Sequence, residues 1–217
     1  MGRVHAPWIV LLVALAACGR ISFDPLGGGS GDDVADDGRT NGDGAPADCP
    51  VVGNVCADGT IFGGITPDGN KPMFVEPTTN YGGPWSYGSG SAPAQEVQTS
   101  LFDTTTGAAN TAALSIGGTW EDADAGTAGV QPHEAANYCT DLAAQGHTDW
   151  YLPARDELRV LYAGRLAIGG FPDDEYWAST EQANCPMSCA TVIAFPSGTE
   201  SPFRNKYDYR AARCVRK

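Results

Sequence analysis

An apolar run from Trp8 to Ala17 opens the chain, a polar stretch with almost no large apolar residue follows Leu26, and short apolar runs broken by glycine and proline fill the rest. In this last region residues 59–65 and 73–75 flank the turn Thr66-Pro67-Asp68-Gly69-Asn70-Lys71, a hairpin pattern. Behind Pro132, a residue suited to the first helical position, Ala135, Cys139, Leu142 and Ala143 share one face before Gly146, which predicts a helix near 132–144. A second helix is predicted after Pro153. Asp156 and Glu157 favour its N-terminal dipole, Leu158, Leu161, Tyr162 and Ile168 form an apolar stripe, and Gly169-Gly170 ends it. Residues 176–180, 190–195 and 209–215 read as strands, with Pro196-Ser197-Gly198 as a turn. Residues 79–129, rich in Gly, Ser and Thr around Tyr81, Trp85, Tyr87 and Trp120, are expected to be extended loops.

The opening run of about ten residues is half of what a membrane-spanning helix needs. Leu15-Ala16-Ala17-Cys18 closes it as a lipobox does: cleavage before Cys18 is expected, with residues 1–17 as signal peptide and a diacylglyceryl group on the Cys18 thiol. Gly19, standing where an aspartate would favour inner-membrane retention, favours the outer membrane. Residues 18–48 then form the lipidated start and an acidic linker, too poor in apolar residues to offset their ordering entropy. The run 36–44 has the oxygen-rich character of a calcium loop, yet it lacks the closing Glu and flanking helices of an EF-hand. Residues 49–217 are long enough for one domain with its own core.

The formal net charge is −13. Seven aspartates against Arg20 and Arg39 make the linker acidic. Six bases, Arg204, Lys206, Arg210, Arg213, Arg216 and Lys217, lie in the last fourteen residues beside the single acid Asp208. Overall acidity argues against nucleic acid as partner, so this basic island suits at most a local anionic ligand. Of seven cysteines, Cys18 is assigned to the lipid, leaving an even number in an oxidising compartment. Fifteen pairings are formally open. Spacing favours the short loops Cys49–Cys56 and Cys185–Cys189, which leaves Cys139 for Cys214. Zinc ligation fits poorly, because the expected mature chain has only two histidines, His133 and His147, and no paired Cys-x-x-Cys units.

The string His147-Thr148-Asp149-Trp150-Tyr151-Leu152-Pro153-Ala154-Arg155-Asp156-Glu157-Leu158 is followed by Ala167-Ile168-Gly169-Gly170-Phe171, Tyr176-Trp177-Ala178-Ser179-Thr180-Glu181 and Arg213-Cys214-Val215-Arg216. With Gly59-Thr60, residues 109–114 and Tyr138-Cys139, this ordered set resembles the Lcl C-terminal domain family, the C-terminal domain of a bacterial collagen-like adhesin, over roughly residues 57–217. Leu152-Pro153 before an acidic helix start and the terminal Arg213-Cys214-Val215 are more distantly similar to formylglycine-generating enzymes and the C-type lectin-like fold. The resemblance implies an α+β, C-type lectin-like domain: two helices on a twisted antiparallel sheet with long loops, whose helix-to-final-strand disulfide accommodates Cys139–Cys214. Ala154 stands where the family often has Thr, which forfeits a side-chain cap worth about 1 kcal/mol.

Catalysis needs a nucleophile, base or metal site in workable company. The chain offers no Gly-x-Ser-x-Gly elbow, phosphate loop or metal cluster, and no cofactor is expected. His133 reads as a surface residue at a helix start, His147 as a loop residue, and Ser179 as a strand residue bonding backbone. The resemblance implies instead an extracytoplasmic module for carbohydrate, sulfated polysaccharide included. Sugars suit aromatics beside polar groups, which nominates Trp85, Tyr87 and Trp120. Trp150 and Trp177 are expected in the core. An anionic glycan would seek Arg204, Lys206 and Arg210. The alternative partner is another envelope protein, with the membrane engaged through the lipid.

Overall fold

A computed structural model describes residues 44–78, 80–86, 98–115 and 133–217. The expected signal peptide, Cys18, most of the linker, Tyr87 and Trp120 lie outside the described residues. In chain order the described elements are strands β1 (Ile61–Ile65), β2 (Pro72–Val75) and β3 (Tyr81–Gly83), and helices α1 (Gly107–Leu114), α2 (Glu134–Thr140) and α3 (Arg155–Ile168). Strands β4 (Glu175–Glu181), β5 (Cys189–Ala194), β6 (Thr199–Asn205), β7 (Arg210–Ala212) and β8 (Val215–Arg216) follow.

The hairpin of β1 and β2 forms around the Pro-Asp-Gly turn as the pattern predicts, and β8 adds to it in the order β1-β2-β8. The larger sheet has the order β3-β7-β4-β5-β6, antiparallel except where β4 runs parallel to β7. It is therefore mixed, where an antiparallel sheet was expected. Its central strands bury both faces. Tyr176, Ala178 and Ile193 join Leu158, Leu161 and Ile168 of α3 and Val75 of the hairpin in one core, while Trp177 and Val192 join Leu114 of α1 and Ala135, Ala136 and Cys139 of α2 in another. Successive residues of a strand point to opposite faces, so the largely apolar β5, in which Thr191 bonds the Gln182 side chain, suits a strand covered on both sides.

Three helices are described, not two. Residues 107–114, read from sequence as extended, form α1. Asp103 starts it as a local turn, its Oδ1 accepting from the Thr105 and Thr106 amides at 2.7 and 2.9 Å. These bonds hold the Asp103 carboxyl down at about 2. The buried face of α1 carries Asn110 and Thr111, whose side chains are spent on Ser179, Asp103 and Leu152. A helix that buries polar groups shows no apolar stripe, which is why its period is invisible in the sequence.

Helix α2 stops at Thr140, short of the expected 144. The Leu142 amide bonds Cys139 O, and the chain then reverses between Ala144 and His147 through Gln145 and Gly146, both at positive φ. Helix α3 begins without a side-chain cap from Ala154. Its first amides find other partners: Ala154 N donates to Glu157 Oε2 at 2.9 Å, Arg155 N to Thr180 Oγ1 at 3.0 Å and Asp156 N to Thr104 O at 2.7 Å. One local bond to Glu157 and two tertiary bonds thus stand in for the absent hydroxyl.

The strand expected over 209–215 divides between the two sheets. At the crossing, the buried Arg213 guanidinium donates to Glu76 O, Gly170 O and Asn80 Oδ1, and the next residue, Cys214, is bonded to Cys139 of α2. The other pairs, Cys49–Cys56 and Cys185–Cys189, also form as the spacing suggested.

Candidate ligand-binding site

Of the aromatics proposed from sequence, only Trp85 lies among the described residues, and it offers no stacking surface. Trp85 is fully buried, its indole N–H donating to Ala178 O at 2.8 Å. Following β3 by two residues, it is carried under α2, whose Ala135 amide donates to Trp85 O. That burial corrects its assignment as an exposed platform. Trp150 and Trp177 are buried as expected. The aromatic side chains that do face solvent near the C-terminus are Phe203, Tyr207 and Tyr209, on β6 and the β6–β7 connection.

The basic island does not form a basic surface. Arg204 and Arg210 both bond the carboxylate of Glu175, Arg210 Nε at 2.6 Å, and Arg210 also reaches Asp208. Burial pushes the Glu175 carboxyl up, but the two arginines outweigh it and hold it below its usual range. Lys206 is buried. Its ammonium forms an ion pair with Glu181, donates to Pro186 O at 2.8 Å, and sits 4.9 Å from the Trp85 ring centroid. Glu181 in turn accepts from the Thr99 and Ser100 amides. Lys206 is therefore a strut of the core, and the assignment of Arg204, Lys206 and Arg210 as one open anionic-glycan cluster is corrected: each is charge-paired within the fold.

His133 is also not on the surface. It stands at the start of α2 with its ring 5.2 Å from Trp85, and its Nδ1 is buried without a hydrogen-bond partner among the described residues. Burial, with the nearby Lys206 charge, lowers its pKa to about 4, so it is neutral at physiological pH. His147 does lie on a loop, bonded to Asp58 at 2.9 Å. Ser179 is buried and accepts from the Asn110 side chain, in place of the expected bond to backbone.

What the structure does bring together is a cleft of about 390 Å³ lined by Tyr81, Glu134, Asn137, Tyr138, Asp141, Leu142 and Ala143. Glu134, Asn137, Tyr138 and Asp141 stand at positions i, i+3, i+4 and i+7, which makes one stripe along α2. The opposite face of the helix, Ala135, Ala136 and Cys139, is buried in the core. Tyr81 on β3 turns its ring toward Tyr138, with centroids 5.1 Å apart and planes inclined at 38°. Its hydroxyl is fixed on Pro84 O at 2.9 Å. The side chains of Glu134, Asn137, Tyr138 and Asp141 have no hydrogen-bonding or ion-pair partner among the described residues. Burial, then the Asp141 charge, pushes the Glu134 carboxyl above its usual range. Sequence reading followed the apolar face of this helix and passed over the polar stripe, the signal that would have found the site.

A family model described as the Lcl C-terminal domain matches residues 85–216. The chain belongs to the Lcl C-terminal domain family. Every cleft residue except Tyr81 falls inside the matched Lcl segment, as do Cys139–Cys214 and the α3 region. Membership points to an adhesin-like extracellular or envelope module. No curated protein matches the chain. No helix among the described residues is long and apolar enough to cross a membrane.

Proposed function

We propose that this chain is a cell-envelope lipoprotein whose Lcl domain binds saccharide, as an adhesion or recognition module and not as an enzyme, in the cleft between β3 and α2. The observation that carries the reading is the cleft's composition. Two inclined tyrosine rings supply apolar faces of the kind a sugar ring covers, and Glu134, Asn137 and Asp141 supply hydrogen-bonding groups that no described residue uses. Its volume lies in the range of small-ligand sites, about 300–1,000 Å³. The rigid backing of α2, tied by Cys139 to Cys214, suits a preformed site. The same disulfide, with helices on both faces of a mostly antiparallel sheet, supports a C-type lectin-like domain.

A glycan array probed with the full chain tests this. Saturable binding to a defined set of saccharides, lost in Tyr138→Ala, is expected; a blank array, or binding indifferent to Tyr138→Ala, refutes the site.

A second reading, contact with another envelope protein, is favoured by the exposed Phe203, Tyr207 and Tyr209. Co-purification that depends on these three, with a blank array, would establish it instead. Anchoring through acylated Cys18, in the outer membrane, belongs to the same proposal. Cys18→Ala is expected to release the protein from membranes, and intact mass showing an unmodified Cys18 would contradict it.

A further inference from the structure

Most acids of the described domain outside the α2 cleft have a basic partner. Asp68 is held by Lys217, Asp149 by Arg216, Glu200 by Arg159, Glu175 by two arginines and Glu181 by Lys206. Glu134 and Asp141 line one cleft with no such partner among the described residues. The arrangement also runs against helix electrostatics, because Asp141 occupies the C-terminal cap of α2 and no basic residue stands in the last turn. That end of a helix favours a cation. Burial and Asp141 together raise the Glu134 carboxyl above its usual range, a cost that a bound positive charge would relieve. Two tyrosine rings beside the carboxylates add their negative faces.

We infer that the cleft recognises a free-amine amino sugar, its ammonium held by Glu134 and Asp141 and its ring face against Tyr81 and Tyr138. The inference rests on the reading of this cleft as a saccharide site and names the ligand class. Asn137 and the Tyr138 hydroxyl provide donors and acceptors beyond what an ammonium needs, which fits a polyhydroxylated ring better than a lysine side chain. The chain's net charge of −13 works in the same direction, attracting cationic saccharides and repelling sulfated ones.

Calorimetric titration of the full chain, at mildly acidic pH where a sugar amine is protonated, decides the matter with three probes: β-linked tetraglucosamine, its fully N-acetylated counterpart, and trilysine. Tetraglucosamine is expected to bind at least about tenfold more tightly than the acetylated tetramer. Glu134→Gln with Asp141→Asn should weaken it by a similar factor, and added salt should weaken it further. The melting temperature of this double variant should be unchanged or raised, since it removes a repulsion, so a folding defect does not confound the result. Equal or tighter binding of the acetylated tetramer, abolished by Tyr138→Ala, overturns the amine assignment and leaves the saccharide site standing. Absence of binding by both tetramers overturns the amine assignment and leaves the saccharide site to the array, while binding that survives Tyr138→Ala overturns both. Binding of trilysine without tetraglucosamine overturns the sugar and makes the ligand a basic peptide.

Discussion

The segment from Arg204 to Arg210 and the outer stripe of α2 carry opposite charges and treat them in opposite ways. In the first, Glu175, Glu181 and Asp208 meet every cation, and Lys206 is drawn fully into the core beside Trp85. In the second, Glu134 and Asp141 share a cleft with two aromatic rings and stay without a partner among the described residues. A run of bases in sequence therefore looks like a binding surface and is architecture, while a helix that looks like ordinary amphipathic packing carries the available chemistry.

This contrast can be broken most forcefully at its covalent support. Cys139 and Cys214 are 75 residues apart and join α2 to the core, so replacing both with Ala should cost about 4–5 kcal/mol in the chain-entropy account. Denaturant melts would show it, and saccharide binding should be lost with the helix's anchorage; a loss below about 1 kcal/mol would detach the cleft from the disulfide. Next comes Lys206→Met. It strands a fully buried Glu181 carboxylate and should cost about 3–5 kcal/mol by the same measurement. Arg204→Ala should cost far less, within about 1 kcal/mol, because its pair with Glu175 is partly exposed and Arg210 remains. If Lys206→Met proves as mild as Arg204→Ala, the basic segment is not the strut described.

The third effect is a pH dependence. His133 titrates near 4 in the fold and near 6.5 unfolded, so the unfolded chain takes up the proton first. Stability is then full above about pH 6.5 and falls as pH drops toward about 4, by roughly 3 kcal/mol in all. His133→Asn should flatten melting temperature against pH across that window, leaving the carboxylate losses below it. The smallest effect belongs to the cleft. Because the folded fold disfavours ionised Glu134, Glu134→Gln should be neutral or stabilise by a few tenths of a kcal/mol above the carboxyl range. A marked destabilisation would mean that Glu134 holds the fold and is not free for ligand.

Much of the fold was legible in the chain because local rules acted alone. The Pro-Asp-Gly hairpin, the stripe of α3 with its glycine stop, and the short cysteine loops each follow from residues near one another. What escaped depended on partners far away in sequence. Helix α1 buries Asn110 and Thr111 against Ser179 and Leu152, so it has no apolar signature. Trp85 sits among glycines that suggest an exposed loop, and contacts with Ala178 and Ala135 bury it. Lys206 reads as a surface base until the fold brings Glu181 to it. The candidate site was half legible: the spacing of Glu134, Asn137, Tyr138 and Asp141 was in view, but Tyr81, which makes the stripe into a cleft, comes from 57 residues before Tyr138 in the sequence.

The most direct test of the account is where a saccharide touches the protein. Backbone amide NMR shifts, followed as the array's best-binding saccharide is added to the full chain, should move most at Tyr81, Glu134, Asn137, Tyr138 and Asp141, with residues 203–210 nearly still. Shifts concentrated at Phe203, Arg204, Tyr209 and Arg210, with α2 unchanged, would place the site on the basic segment and contradict the account.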